Sequence, residues 1–179
     1  MSENTKQEEF EFFWESDSPF SNWHKSDFLL NGIKFNCAEQ AMMYGKAMCF
    51  GDNETAQEIL KTKKPRDQKA LGRKVKNFDS KIWDEKGKKV VYEACKAKFT
   101  QNPHMHEALM KTSGKTLVEA SPYDTIWGIG LFASDIRAKS RDTWRGKNYL
   151  GELLTTLREE LIEVKNRTNI DPSISQSNG

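Results

Sequence analysis

The dipeptide Asn31-Gly32 lies between two apolar triplets, Phe28-Leu29-Leu30 and Ile33-Lys34-Phe35. A two-residue type I′ hairpin loop needs positive φ at both central residues, and Asn-Gly adopts it at low steric cost. The chain therefore reverses here, and a helix is due at once afterwards. Asn36 is placed to cap that helix, and Glu39 three residues on completes a capping-box-like arrangement. Alanines and methionines carry it to about Met48, and Gly51 ends it.

Helical signals dominate the rest of the chain. Asp52 or Asn53 caps a short helix through Ile59 and Leu60, and Pro65 opens another through Leu71 to Val75. A long helix from about Ser80 to Phe99 puts Trp83, Val90, Val91 and Ala94 on one face, with Gly87 a weak point. Pro103 starts a further helix, closed by Gly114. Tyr149 to Val164 carries a stripe of Leu150, Leu153, Leu154, Leu157 and Leu161. Phe10 to Trp14 and Thr116 to Glu119 read as strands, whereas Ser121 to Arg145 has no period yet holds Trp127, Phe132 and Trp144. A loop of this length inside a compact domain is usually functional or poorly ordered, and this one is too aromatic to be a mere linker. The expected fold is α+β: one mainly helical domain over 10–165 with a small N-terminal hairpin or sheet. Residues 1–9 are expected to be flexible, and the polar tail 166–179 disordered.

The 179 residues suit one domain, and 36% hydrophobic content suffices for one core. No apolar run is long enough to span a bilayer, and no signal-peptide pattern opens the chain. Cys37, Cys49 and Cys95 read as reduced thiols of a cytoplasmic protein, or a nuclear one if eukaryotic. The net charge is only +2, but Lys61 to Lys98 holds 14 Lys and Arg against five Asp and Glu. Such a run favours polyanionic partners; it is also what a solvated helical face looks like.

His24, His104 and His106 form no metal-ligand spacing, and no Walker, dinucleotide-binding or Gly-x-Ser-x-Gly motif is present. Neither a metal nor an organic cofactor is expected. Cys37 reads as a small buried side chain, with no histidine placed to activate it. Three clusters can carry chemistry. Glu39 and Lys46, two turns apart, share one helix face and can converge on a ligand, or they are a cap and a solvated lysine. Asp124, Trp127 and Gly128 suit a binding loop, with Trp127 serving either a ligand or the core. Arg145-Gly146-Lys147-Asn148 opens the last helix, where free N–H groups and cations would hold a phosphate, or Asn148 is an ordinary cap.

Six motifs occur in a telling order: Phe20-Ser21-Asn22-Trp23, Cys37-Ala38-Glu39-Gln40 with Lys46, Leu71-Gly72-Arg73, Lys98-Phe99, Tyr123 to Gly128, and Gly146 to Gly151. Over Phe12 to Leu161 the series resembles the NADAR (NAD- and ADP-ribose-associated) family, also called YbiA-like. The resemblance implies cleavage of a ribose C1–N bond. One branch acts on phosphoribosylated pyrimidine intermediates of riboflavin synthesis, another removes ADP-ribose from guanine in nucleic acid. It also implies Glu39, Lys46 and Asp124 as catalytic residues, and Ser21, Asn22, Arg73, Trp83, Trp127, Gly128, Lys147 and Asn148 as substrate-binding ones. Ala38 and Gln40 around Glu39 differ from the Ser–His version of the bacterial riboflavin-type members, which points away from the riboflavin substrate. The expected activity is an ADP-ribosyl-guanine hydrolase acting on DNA or RNA. The alternatives are the riboflavin-intermediate N-glycosidase, with a phosphoribosyl small molecule as partner, and a non-catalytic ADP-ribose reader.

Overall fold

A computed structural model describes residues 6–170. The expectations for residues 1–5 and 171–179 lie outside the described residues. The order is β1 (Glu9–Phe13), β2 (Phe28–Leu30), β3 (Ile33–Phe35), α1 (Ala38–Cys49), α2 (Asn53–Lys61), α3 (Pro65–Gly72), α4 (Ser80–Gln101), α5 (Pro103–Lys111), β4 (Lys115–Glu119) and α6 (Tyr149–Ile170). Two 3₁₀ turns, Ile136–Lys139 and Arg141–Thr143, interrupt the segment between β4 and α6. The mainly helical α+β architecture is the one expected.

The hairpin forms as its sequence requires: β2 and β3 pair antiparallel, with φ of 51° at Asn31 and 77° at Gly32. Helix α1 starts later than expected, because Cys37 and not Asn36 occupies the cap position, in extended backbone. Asn36 is engaged elsewhere. Its side chain donates to the Lys63 carbonyl and accepts from Gln68, while its N–H donates to Gln40 Oε1 at 2.8 Å. The reach back across the helix start is thus made by Gln40, which frees Glu39 from capping.

β1 and β4 pair in parallel, with Phe10 opposite Thr116 and Phe13 opposite Glu119. This two-stranded sheet packs on α6, whose Leu150, Leu154 and Leu157 are fully buried. The same core holds Met42, Met43, Val91, Phe99 and Leu117, so α1, α4, α6 and β4 share one centre. Helix α6 runs on to Ile170, past its expected end at Val164, and an Arg167–Glu163 ion pair spans its last turns. Gly87 is no weak point: it is buried, and a Cβ there would stand 3.0 Å from the Trp83 ring that packs over it. Among the described residues no helix is long and apolar enough to cross a membrane.

Candidate active site

Helix α1 presents two faces. Ala41, Tyr44, Gly45 and Met48 face the hairpin and α4 around a cavity of about 640 Å³, whereas Glu39 and Lys46 lie on the opposite side. Glu39 is fixed from its first atom, because its N–H donates to the Asn22 carbonyl at 2.9 Å. The loop that offers this carbonyl is held from beneath by Lys98 of α4. That lysine is fully buried and donates from Nζ to the Ser21 carbonyl at 2.9 Å. Burial lowers the Lys98 pKa to about 8. Ser21 Oγ in turn accepts the Trp23 N–H at 3.1 Å. Ser21 and Asn22 are therefore buried supports whose carbonyls position Lys98 and Glu39.

The Glu39 side chain is 6% exposed. Burial, reinforced by the negative charge of Asp124, raises its pKa from 4.5 to about 7. Lys69, a hydrogen bond from the Trp23 side chain, and Lys46 act in the other direction. Lys46 is half-buried, with its amine 4.4 Å from the centre of the Phe78 ring. Burial holds its pKa below the ordinary lysine range; Glu39 opposes this and Arg73 adds to it. Glu39 and Lys46 thus act on one another's charge, and Arg73 acts on Lys46.

Asp124 is set by its own loop. Its Oδ1 accepts the N–H groups of Ile126 and Trp127 at 2.9 and 2.8 Å, an Asx turn that holds the carboxylate in place. Gly128 allows that loop to close, because a Cβ there would stand 2.8 Å from the Glu119 carbonyl. Glu119, the last residue of β4, was not among the expected site residues. Its Oε2 is buried without a hydrogen-bond partner. Burial, then the charges of Asp124 and Glu39, raise its pKa to about 8 against Lys69 alone. Trp23, the last residue of the Phe20–Trp23 motif, joins the site, and Lys69 and Phe78 join it unannounced. The signal for those two was faint, since neither sits in a motif or a spaced pattern.

The expected phosphate cradle at the start of α6 is closed. The N–H groups of Lys147, Asn148, Tyr149 and Leu150 donate to the carbonyls of Thr125, Gly128, Ile126 and Trp127, so these four are taken and not offered to an anion. Asn148 is fully buried at φ 53°, accepting the Glu119 N–H at 2.9 Å and donating to the Leu117 carbonyl at 3.0 Å. It is a clamp between β4 and α6, and not a ligand contact. Lys147 is exposed, with its amine 5.4 Å from the centre of the Tyr149 ring. Trp127 packs on the core, edge-on to Tyr149. Trp83 packs on the core as well. Cys37 is buried and donates to Gln68 Oε1; burial raises its thiol to about 11. Among the described residues no group of three or more His, Cys, Asp and Glu is placed to hold a metal.

Residues 12–162 match the family model described as the NADAR domain. The N-glycosidase R617 of Acanthamoeba polyphaga mimivirus is 44% identical over 146 residues, covering 79% of this chain and 86% of that protein. The riboflavin biosynthesis protein PYRR, chloroplastic, of Zea mays is 33% identical over 161 residues, covering 83% of this chain but 24% of that longer protein. The solved NMR structure of the E. coli protein YbiA superposes with a TM-score of 0.73 at 27% identity, covering 89% of this chain and 88% of that one.

Proposed function

The chain belongs to the NADAR domain family, and we propose that it hydrolyses the bond between ribose C1 and a base nitrogen, with ADP-ribosylated guanine of nucleic acid as its substrate. One observation carries the N-glycosidase reading: Asp124 bears on both Glu39 and Glu119, and Glu39 on Glu119, in a desolvated site that also holds Lys69 and Lys46. Breaking an N-glycosidic bond builds positive charge on the ribose ring and negative charge on the departing nitrogen. Ionised Glu39 and the rigidly held Asp124 stabilise the cation. Glu39, with a pKa near neutrality, also accepts the proton of an attacking water. Lys46 and Arg73 offer cations for the phosphates.

A second route to the sugar uses the Lys46 amine. A ribosylamine opens to an imine, and a lysine whose pKa is lowered adds to C1 and displaces the base as a transient Schiff base. Both routes use only these side chains and water.

Two surface features favour a base carried on nucleic acid. Next to Asp124 the ring of Tyr123 is 84% exposed, and it stands with Phe132 against Trp14 at centroid distances of 6.1 and 5.5 Å from it. Such a platform suits base stacking. Most lysines and arginines between Lys61 and Lys98 are also exposed. The likeness to PYRR favours a second reading, a phosphoribosylated intermediate of riboflavin synthesis. The Ala38 and Gln40 departure no longer argues against it. Both side chains are buried, and Gln40 donates to the Ile59 carbonyl at 3.1 Å, tying α1 to the end of α2. Mass spectrometry of the pure protein with each substrate tests the proposal. Release of unmodified guanine supports it, release only from the phosphoribosyl pyrimidine selects the second reading, and binding without release leaves a reader.

A further inference from the structure

We propose that Glu119 is the general acid of this site, giving its carboxyl proton to the leaving nitrogen as the C1–N bond breaks. The inference rests on the N-glycosidase reading and adds to it a residue with a defined task.

The main chain of Glu119 is held on both sides. Its N–H donates to Asn148 Oδ1 at 2.9 Å and its carbonyl accepts from the Ile129 N–H at 2.9 Å, with Gly128 pressed against that carbonyl. The side chain therefore starts from a fixed point at the end of β4. Its Oε2 is shut away from water with no donor. A charged carboxylate oxygen in that condition is costly, whereas the neutral acid form carries no charge to strip of water. Glu39 is in the opposite condition, with Trp23 as a donor and two lysines nearby. The charged groups acting on Glu119 are Glu39 from α1, Asp124 from the loop after β4, and Lys69 from α3. Burial first, and then two anions against one cation, keep the proton on Glu119 up to about pH 8. A neutral acid beside an ionisable carboxylate is the division of labour that N-glycoside cleavage needs.

The protons balance. As the C1–N electron pair passes to nitrogen, the Glu119 proton goes with it and the base departs neutral. Water adds at C1 and gives a proton to the Glu39 carboxylate. Transfer of that proton across the carboxyl cluster restores acid Glu119 and ionised Glu39, with one water consumed. If Lys46 forms the Schiff base, the same acid protonates the base nitrogen as the amine displaces it from C1.

The test pairs difference infrared spectroscopy with kinetics, on wild type, Glu119→Gln and Glu119→Asp. Infrared needs no turnover: a protonated-carboxyl band present at pH 7, fading above about pH 8 and missing from Glu119→Gln, is expected. On whichever of the two substrates wild type cleaves, Glu119→Gln should lose at least about 100-fold in kcat with KM little changed. The alkaline limb of the wild-type pH profile should vanish with it, and Glu119→Asp should recover part of the rate and the limb. Absence of the infrared band, an unchanged alkaline limb in a folded Glu119→Gln, or a loss confined to KM overturns the assignment. Failure of wild type to cleave either substrate would instead overturn the N-glycosidase reading, and the infrared band would still report whether Glu119 holds the proton.

Discussion

Replacing Glu39 with glutamine should make the protein more stable while stopping its chemistry. Glu39 is 6% exposed, and burial raises its pKa from 4.5 to about 7 after the help of Lys69, Trp23 and Lys46 is included. Below pH 4.5 the carboxyl is protonated in both folded and unfolded chains, and it costs nothing. As pH rises from 4.5 through about 7, the unfolded chain gives up the proton first, so wild type loses stability across that window. The rise corresponds to about 3 kcal/mol once both states are ionised. Glutamine keeps the shape and carries no charge, so the variant should gain roughly 2–3 kcal/mol at pH 8 and almost nothing at pH 4.5. In a chain of this size about 1 kcal/mol moves Tm by roughly 2–4 °C, so the difference at pH 8 should be roughly 4–12 °C. Because Glu39 is one of the charges that raise Glu119, the substitution also relieves part of that group's burden. Thermal and urea unfolding of both proteins from pH 4.5 to 8 measures this, and the same samples should show at least about a 100-fold loss of turnover in the variant. Parallel stability curves at every pH would contradict this account, since Glu39 would then not be a desolvated charge. Full turnover in the variant would remove it from the chemistry.

If the Schiff-base route operates, borohydride added during turnover should trap a ribosyl adduct that Lys46→Ala abolishes; normal turnover by Lys46→Arg would exclude the route. Asn148→Ala should cost about 2–4 kcal/mol in denaturant unfolding, because the Glu119 N–H and the Leu117 carbonyl both lose their buried partner. Neutralising the exposed Lys74, Lys76, Lys88 and Lys89 together should raise KM on modified oligonucleotides and leave a modified mononucleoside unaffected. The salt slope on oligonucleotides should fall by about 0.7–0.9 per lost phosphate contact, and equal effects on the two substrates would reduce the run to a solvated face. Tyr123→Ala should likewise weaken oligonucleotide binding, by about 1–3 kcal/mol if a base stacks on that ring, as read by fluorescence anisotropy.

Local sequence dictated whatever depends on neighbours along the chain. Asn31-Gly32 forced the hairpin through positive φ, Pro65 and Pro103 opened their helices, and the leucine stripe set the buried face of α6. Glu39 and Lys46 were legible as a pair because two helical turns put them on one face. Long-range packing settled the rest. The parallel register of β1 against β4 joins segments more than a hundred residues apart, and no local rule specifies that pairing. The helix mouth at Asn148 looked open in sequence, and it is closed because a distant loop turns its carbonyls onto it. Glu119 looked like an ordinary strand residue. Its character comes from Glu39, Asp124 and Lys69, brought around it by α1, the loop after β4, and α3. A carboxyl group's proton affinity is set by the water it loses and the charges it meets, and both are properties of the folded interior.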